Sequence, residues 1–119
     1  MAIKNFVNQN NEGFNDLFMV CTWSDIQNSD EGKEIQVVGY ADRSIQVDGN
    51  FDGGTIEIKG SNDGISYYTL TDPQGNNLSF TTPKIEQVSE ITRYIKPVAS
   101  GGGASMNIKI SMLLRKGYR

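Results

Sequence analysis

Met106-Asn107-Ile108-Lys109-Ile110-Ser111-Met112 decides the fold class: apolar and polar residues alternate through the whole run, the period of a β-strand with one buried and one wet face. Wound as a helix, the same residues leave no apolar stripe. The pattern continues outward from there. Ile45, Val47, Gly49 and Phe51 alternate with Ser44, Gln46, Asp48 and Asn50, and Ile56 and Ile58 alternate with Thr55, Glu57 and Lys59. Further strands are predicted over Phe18 to Trp23, Ile35 to Tyr40, Tyr67 to Leu70, Leu78 to Thr81 and Tyr94 to Ala99, about eight short strands in all. Isoleucine outnumbers leucine twelve to five, and β-branched residues of this kind suit pleated, half-buried surfaces.

The punctuation between these runs has a mechanism. Asp72-Pro73-Gln74-Gly75 places Asp, Pro and Gly at the first, second and fourth positions of a type I turn, joining Tyr67–Leu70 to Leu78–Thr81. Gly60-Ser61-Asn62-Asp63-Gly64 tolerates positive φ and can reverse the chain after Ile58. Gly101-Gly102-Gly103 is expected to form a flexible tip before the last strand. Many short strands, regular turns and no convincing helix predict an all-β fold, an antiparallel β-sandwich or jelly roll over residues 17–119. Residues 1–16 break the pattern. Five Asn, at positions 5, 8, 10, 11 and 15, surround the isolated apolar residues Phe6, Val7 and Phe14, a composition that suits an extended N-terminal arm. Such an arm either docks on another chain or lies along its own sheet.

At 119 residues the chain is one domain's length, and 37% hydrophobic with 21% charged residues is the balance of an ordinary globular domain. The lack of histidine removes the imidazole nucleophile partners, the imidazole acid/base and His-containing zinc sites. The single cysteine, Cys21, has no partner for an internal disulfide. No apolar run approaches a signal-peptide core or a membrane span, so synthesis in the cytoplasm and no membrane partner are expected. Charge is distributed unevenly. Residues 1–90 carry all 14 Asp and Glu but only 5 of the 11 Lys and Arg, whereas residues 91–119 carry the other 6 and no acid. Either the basic C-terminal strands pair with the chain's own acidic strands or they form a face for a partner. A pI near 4.8 with scattered basic residues argues against nucleic acid.

Few residue groups suggest chemistry. Asp48-Gly49-Asn50-Phe51-Asp52-Gly53-Gly54 opens like a calcium loop, but the twelfth position, where a bidentate Glu belongs, is Lys59. A solvated hairpin is the expected reading, with no metal or other cofactor. Asp63 and Asp72 are conceivable as paired carboxylates for glycoside hydrolysis, yet turn motifs already account for both. Cys21 lies among residues apolar on both faces, without a base to activate it, and reads as a buried thiol. Trp23, Tyr67 and Tyr68 suggest a sugar platform, although alternation sends Trp23 and one of the two tyrosines inward. No catalytic residues emerge, and the chain is not expected to be an enzyme.

A family resemblance adds to this reading. Gly49-Asn-Phe-Asp-Gly-Gly-Thr-Ile-Glu-Ile-Lys-Gly-Ser-Asn-Asp-Gly64, then Tyr68, Leu70 and Asp72-Pro73-Gln-Gly75, then Arg93-Tyr94-Ile95-Lys96-Pro97 with Ser100-Gly101-Gly102, resemble small tailed-bacteriophage head decoration, or cement, proteins. The likeness spans residues 45–115. It implies a virion structural protein with a β-sandwich or jelly-roll fold that binds the outside of an icosahedral head in many copies and bridges neighbouring capsomers. The partners so implied are the major capsid protein and the chain itself, as a homodimer or homotrimer. The family offers no motif-matched binding residues. The contact residues expected here are Phe6, Val7 and Phe14 as apolar anchors, with Lys109, Arg115, Lys116 and Arg119 facing an acidic shell and steering assembly. A phage tail or fibre module and a carbohydrate-binding module are the alternatives.

Overall fold

The computed structural model describes residues 1–10 and 17–116, and among them there is no helix. The strands are β1 (Ile3–Lys4), β2 (Phe6–Asn10), β3 (Phe18–Ile26), β4 (Glu31–Gly32), β5 (Ile35–Gln36), β6 (Tyr40–Asn50), β7 (Thr55–Ser61), β8 (Tyr68–Thr69), β9 (Ser79–Phe80), β10 (Lys84–Gln87), β11 (Tyr94–Ser100) and β12 (Asn107–Lys116). A five-stranded sheet runs β10-β6-β12-β3-β2, and a seven-stranded sheet runs β1-β4-β11-β7-β8, with β5 also on β11 and β9 on β7.

β4 and β5 lie one after the other along β11, and β8 and β9 do the same along β7. Each pair is therefore one interrupted strand. Counted so, eight strands form the body, and the chain changes sheet at every connection between them except β7 to β8. That winding makes a jelly roll. Three expected strands are shorter or divided. The run from Ile35 to Tyr40 breaks because Tyr40 N–H turns back to the Val37 carbonyl at 3.2 Å and Gly39 takes φ +94°. The Asp72 turn forms as expected, Gly75 N–H donating to the Asp72 carbonyl at 2.9 Å. β8 and β9 themselves continue along the same edge of β7, and residues 71–77 loop out between them as a small hairpin closed by the Thr71↔Asn77 bridge.

Alternation builds the core. Ile108, Ile110, Met112 and Leu114 of β12 face Ile45 and Val47 of β6 and Cys21 and Trp23 of β3, and the opposite layer supplies Ile56, Ile58, Leu70, Leu78, Phe80 and Ile95. Each such aliphatic side chain contributes roughly 1.5–3 kcal/mol by leaving water. One irregularity extends the core beyond strict alternation. Between Ile108 and Ile110 the register against β3 shifts from Ile26 to Trp23, so β3 carries an extra residue, and Asp25 takes φ 56° within it. The bulge lets residues three apart both point inward. Gly49, opposite Ile108 in β6, sits at φ +125° with the Asn107 backbone against the place a Cβ would occupy, so a side chain there would be both strained and blocked.

Residues 1–10 are held to the body. β1 runs parallel to β4, with Glu31 N–H on the Ala2 carbonyl at 2.9 Å and Lys33 N–H on the Lys4 carbonyl at 2.7 Å. β2 crosses to the other layer and pairs antiparallel with β3 from Phe6↔Trp23 to Asn10↔Met19. The buried Asp30 carboxylate ties this segment down, accepting from Ala2 N–H at 3.0 Å and Gln27 N–H at 2.9 Å beside Lys4 Nζ at 3.5 Å.

The Gly60–Gly64 turn is organised by Asp63, whose Oδ1 accepts from Ser61 Oγ at 2.8 Å and from the N–H groups of Ile65 and Ser66 at 2.8 and 2.9 Å. These bonds, that of Ser66 first, hold its carboxyl down at about 2 against an ordinary 3.8. A depressed folded-state value means that the turn's contribution to stability is complete above about pH 4 and is lost as pH falls toward 2. Asp63→Asn is therefore expected to flatten the decline of melting temperature across that window. An unaltered slope would assign the acid sensitivity to other carboxylates. The triple-glycine tip is pinned rather than loose: Gly102 N–H donates to Asn28 Oδ1 and Gly103 N–H to the Asp52 carbonyl, both at 3.0 Å.

Candidate interaction surface

The outward face of the five-stranded sheet has a regular composition that follows from register. One row across it is Val7, Thr22, Ser111, Gln46, Ile85, and the next, from β3 to β10, is Val20, Leu113, Ser44, Gln87. Neither row carries a charge. Among the described residues, charges stand only at the ends of the face, where Lys109 lies opposite Asp48 and Arg115 opposite Asp42. Val7 and Ile85, at opposite edges, are 71% and 62% exposed, and Leu113 sits exposed near the middle. Leu17, Phe18, Val20, Leu113 and the stem of Arg115 line an open hollow of about 420 Å³ at one end. A flat, neutral face with exposed aliphatic groups costs little to desolvate, which is what a protein contact needs at its centre.

Of the residues expected to make contacts, Val7, Lys109 and Arg115 come together on this face. Arg115 is engaged within the chain, Nε and Nη2 each 2.9 Å from Asp42 Oδ2. Lys116 is exposed beyond it, opposite Tyr40 after a register shift. Phe6 points the other way, its ring edge-on to Trp23 at 6.1 Å and 74°, so it closes the side of the core. Phe14 and Arg119 lie outside the described residues. Sequence reasoning missed Leu17, Ile85 and Leu113. The signal was present for Leu113, since continuing the alternation of 106–112 puts an apolar residue at an outward position.

The basic C-terminal strands find acids in part. Lys96 Nζ lies 2.9 Å from Glu31 Oε1 and 4.3 Å above the Tyr67 ring, and Arg93 stacks 5.0 Å from Tyr94. Exposed pairs like Arg115–Asp42 contribute about 0–1 kcal/mol and act mainly on orientation.

The residues weighed for chemistry serve the fold. Asp48 accepts from its neighbour Gly49 N–H, Asn50 from Asp52 N–H, and Asp52 Oδ2 from Ser105 N–H at 2.9 Å. Asp72 Oδ1 accepts from Gln74 and Asn76 N–H at 3.0 and 2.9 Å. Trp23 is wholly buried, its indole N–H on the Lys33 carbonyl at 3.0 Å, so it offers no face to a sugar; Tyr68 is exposed and Tyr67 half-buried. Burial pushes the Cys21 thiol up to about 12, where it is neither thiolate nor nucleophile at neutral pH. No group of three or more metal-ligating side chains occurs among the described residues.

The geometry thus defines an all-β jelly-roll sandwich with a neutral sheet face. Neither a protein-family model nor a curated protein matches the chain. Among solved structures, the fold is similar to that of the SPBc2 prophage-derived protein YomS, with a TM-score of 0.57 and 10% identity over 82% of this chain and 93% of that one.

Proposed function

We propose that the chain is a non-enzymatic bacteriophage structural protein that decorates the outer surface of an icosahedral head, bridging neighbouring capsomers to stabilise the shell. Its partners in this reading are the major capsid protein and further copies of itself, without nucleic acid or membrane; it is made in the host cytoplasm and resides on the virion. The observation that carries the reading is the outward face of the five-stranded sheet, whose two central rows are uncharged and hold Val7, Ile85, Val20 and Leu113. Support also comes from the prophage origin of the protein with the similar fold and from the resemblance over residues 45–115. A clamp on a shell benefits from a rigid scaffold, since little ordering entropy is then lost on binding.

Co-sedimentation with phage heads assembled without the chain tests this. We expect saturation at many copies per head and a higher rupture temperature. Leu113→Glu is expected to weaken binding about tenfold or more, about 1.4 kcal/mol, with little change in melting temperature because the site is at the surface. Saturation as a low-copy ring would move the chain to the tail, and no binding would move it to a fibre or to glycan recognition.

A further inference from the structure

We infer that the free edge of β2 pairs antiparallel with the same edge of a second copy, joining two five-stranded sheets into one across a two-fold axis. This rests on the self-association within the proposed function and not on shell binding.

The edges of the two sheets differ in their defences. Exposed strands are normally protected by charge, proline or brevity. β10 follows Pro83 and carries Lys84 and Glu86, paired at 3.1 Å. The seven-stranded sheet ends in β1 and β5 on one side and in β8 and β9 on the other, each two residues long. β2 has five residues, Phe-Val-Asn-Gln-Asn, with Asn on either side and no charge or proline among them. Among the described residues no strand pairs with its far side. Phe6 N–H is met by the side chain of its neighbour, Asn5 Oδ1, at 2.9 Å, so this donor points away from β3. Alternation directs the backbone groups of Asn8 and Asn10 to the same open side.

A second copy fits this edge better than a foreign strand. Antiparallel pairing of an edge with itself is closed by a two-fold, so the outward backbone groups of β2 in both copies are satisfied together and only the charged β10 edges remain. Centred on Asn8, the pairing sets Phe6 against Asn10 and Val7 against Gln9, with no like charges opposed. Each chain carries a net charge of -3, and this neutral edge is where two such chains meet with least repulsion. The pairing also moves Val7 from the rim to the middle of a continuous face. Two linked copies of one weak surface then bind a repetitive lattice far more tightly than either alone.

Sedimentation velocity of the full chain, across micromolar concentrations, tests the pairing. The wild type is expected to be a dimer. Val7→Lys, which adds a charge beside the axis at an exposed position, is expected to give only monomer that remains folded, with the wild-type circular dichroism spectrum. Ile85→Lys, an equivalent change at the opposite edge, should remain dimeric. A monomeric or trimeric wild type, a dimer that survives Val7→Lys, or a dimer lost equally in Ile85→Lys would overturn the inference. A wild type that is monomeric yet saturates heads would sink the edge pairing and leave shell decoration standing.

Discussion

Arg43→Met is expected to lower the unfolding free energy by about 3–5 kcal/mol, a large part of the stability of a domain this size. Arg43 occupies an inward position of β6, across from the buried Leu114, and is itself buried. No carboxylate lies within ion-pair distance of it among the described residues. Its five N–H donors are instead spent on oxygens of two loops. Nε donates to the Tyr40 carbonyl at 3.0 Å, Nη1 to the Glu90 carbonyl and Thr92 Oγ1 at 3.3 and 3.4 Å, and Nη2 to the carbonyls of Val37 and Thr92 at 3.2 and 2.9 Å. The planar fork thus fastens the turn before β6 to the segment before β11. Methionine keeps the apolar stem but leaves those acceptors short of a donor, and each buried orphan costs about 1–3 kcal/mol.

Arg43→Lys is expected to recover less than half of the loss, because an ammonium has three donors and no fork. Burial lowers the guanidinium pKa from 12.5, yet arginine stays charged at any pH a protein tolerates. The loss should therefore be the same in acid and in alkaline buffer. Urea unfolding followed by circular dichroism measures it. A cost below about 1 kcal/mol would mean that water from the neighbouring groove, between Val38 and Ile91 and about 510 Å³ in volume, replaces the guanidinium.

The central strands were legible in the sequence because one buried face imposes a period of two, as in β12 and β7. What escaped was set by tertiary pairing. β10 carries one apolar residue between the charges of Lys84 and Glu86 and is a strand only because β6 offers it an edge. β1 and β4 are two residues each, too short for any period, and exist by pairing, β1 with β4 and β4 also with β11. Ile26 reads as out of phase with Trp23 until the bulge at Asp25 brings both inward. Arg43 was hidden by a boundary. The sequence reading started that strand at Ser44, whereas carrying the alternation of Val47 and Ile45 back two more residues places a charge in the core. The neutral rows of the candidate face are likewise invisible in the chain order, since they are assembled across five strands by register.

Trp23→Ala is expected to cost about 3–5 kcal/mol, the range for deleting a large buried aromatic side chain. The indole reaches from the five-stranded sheet toward the other layer, its N–H on the Lys33 carbonyl, its ring steeply inclined to that of Phe6. Gly32 lies beneath it. A Cβ on Gly32 would stand 2.7 Å from Trp23 Cδ1 and 2.5 Å from Pro97 Cδ, so Gly32→Ala forces ring and backbone apart and should cost about 1–3 kcal/mol. The two changes are coupled. Removing the indole leaves only Pro97 against the new methyl, so Gly32→Ala should cost less in the Trp23→Ala background than in the wild type, by about 0.5 kcal/mol or more. Thermal unfolding of the four variants by far-ultraviolet circular dichroism closes the cycle, since the chain's single tryptophan is lost in two of them. Strict additivity would place the whole strain of the Gly32 methyl on Pro97 and would free the indole from any part in setting the distance between the sheets.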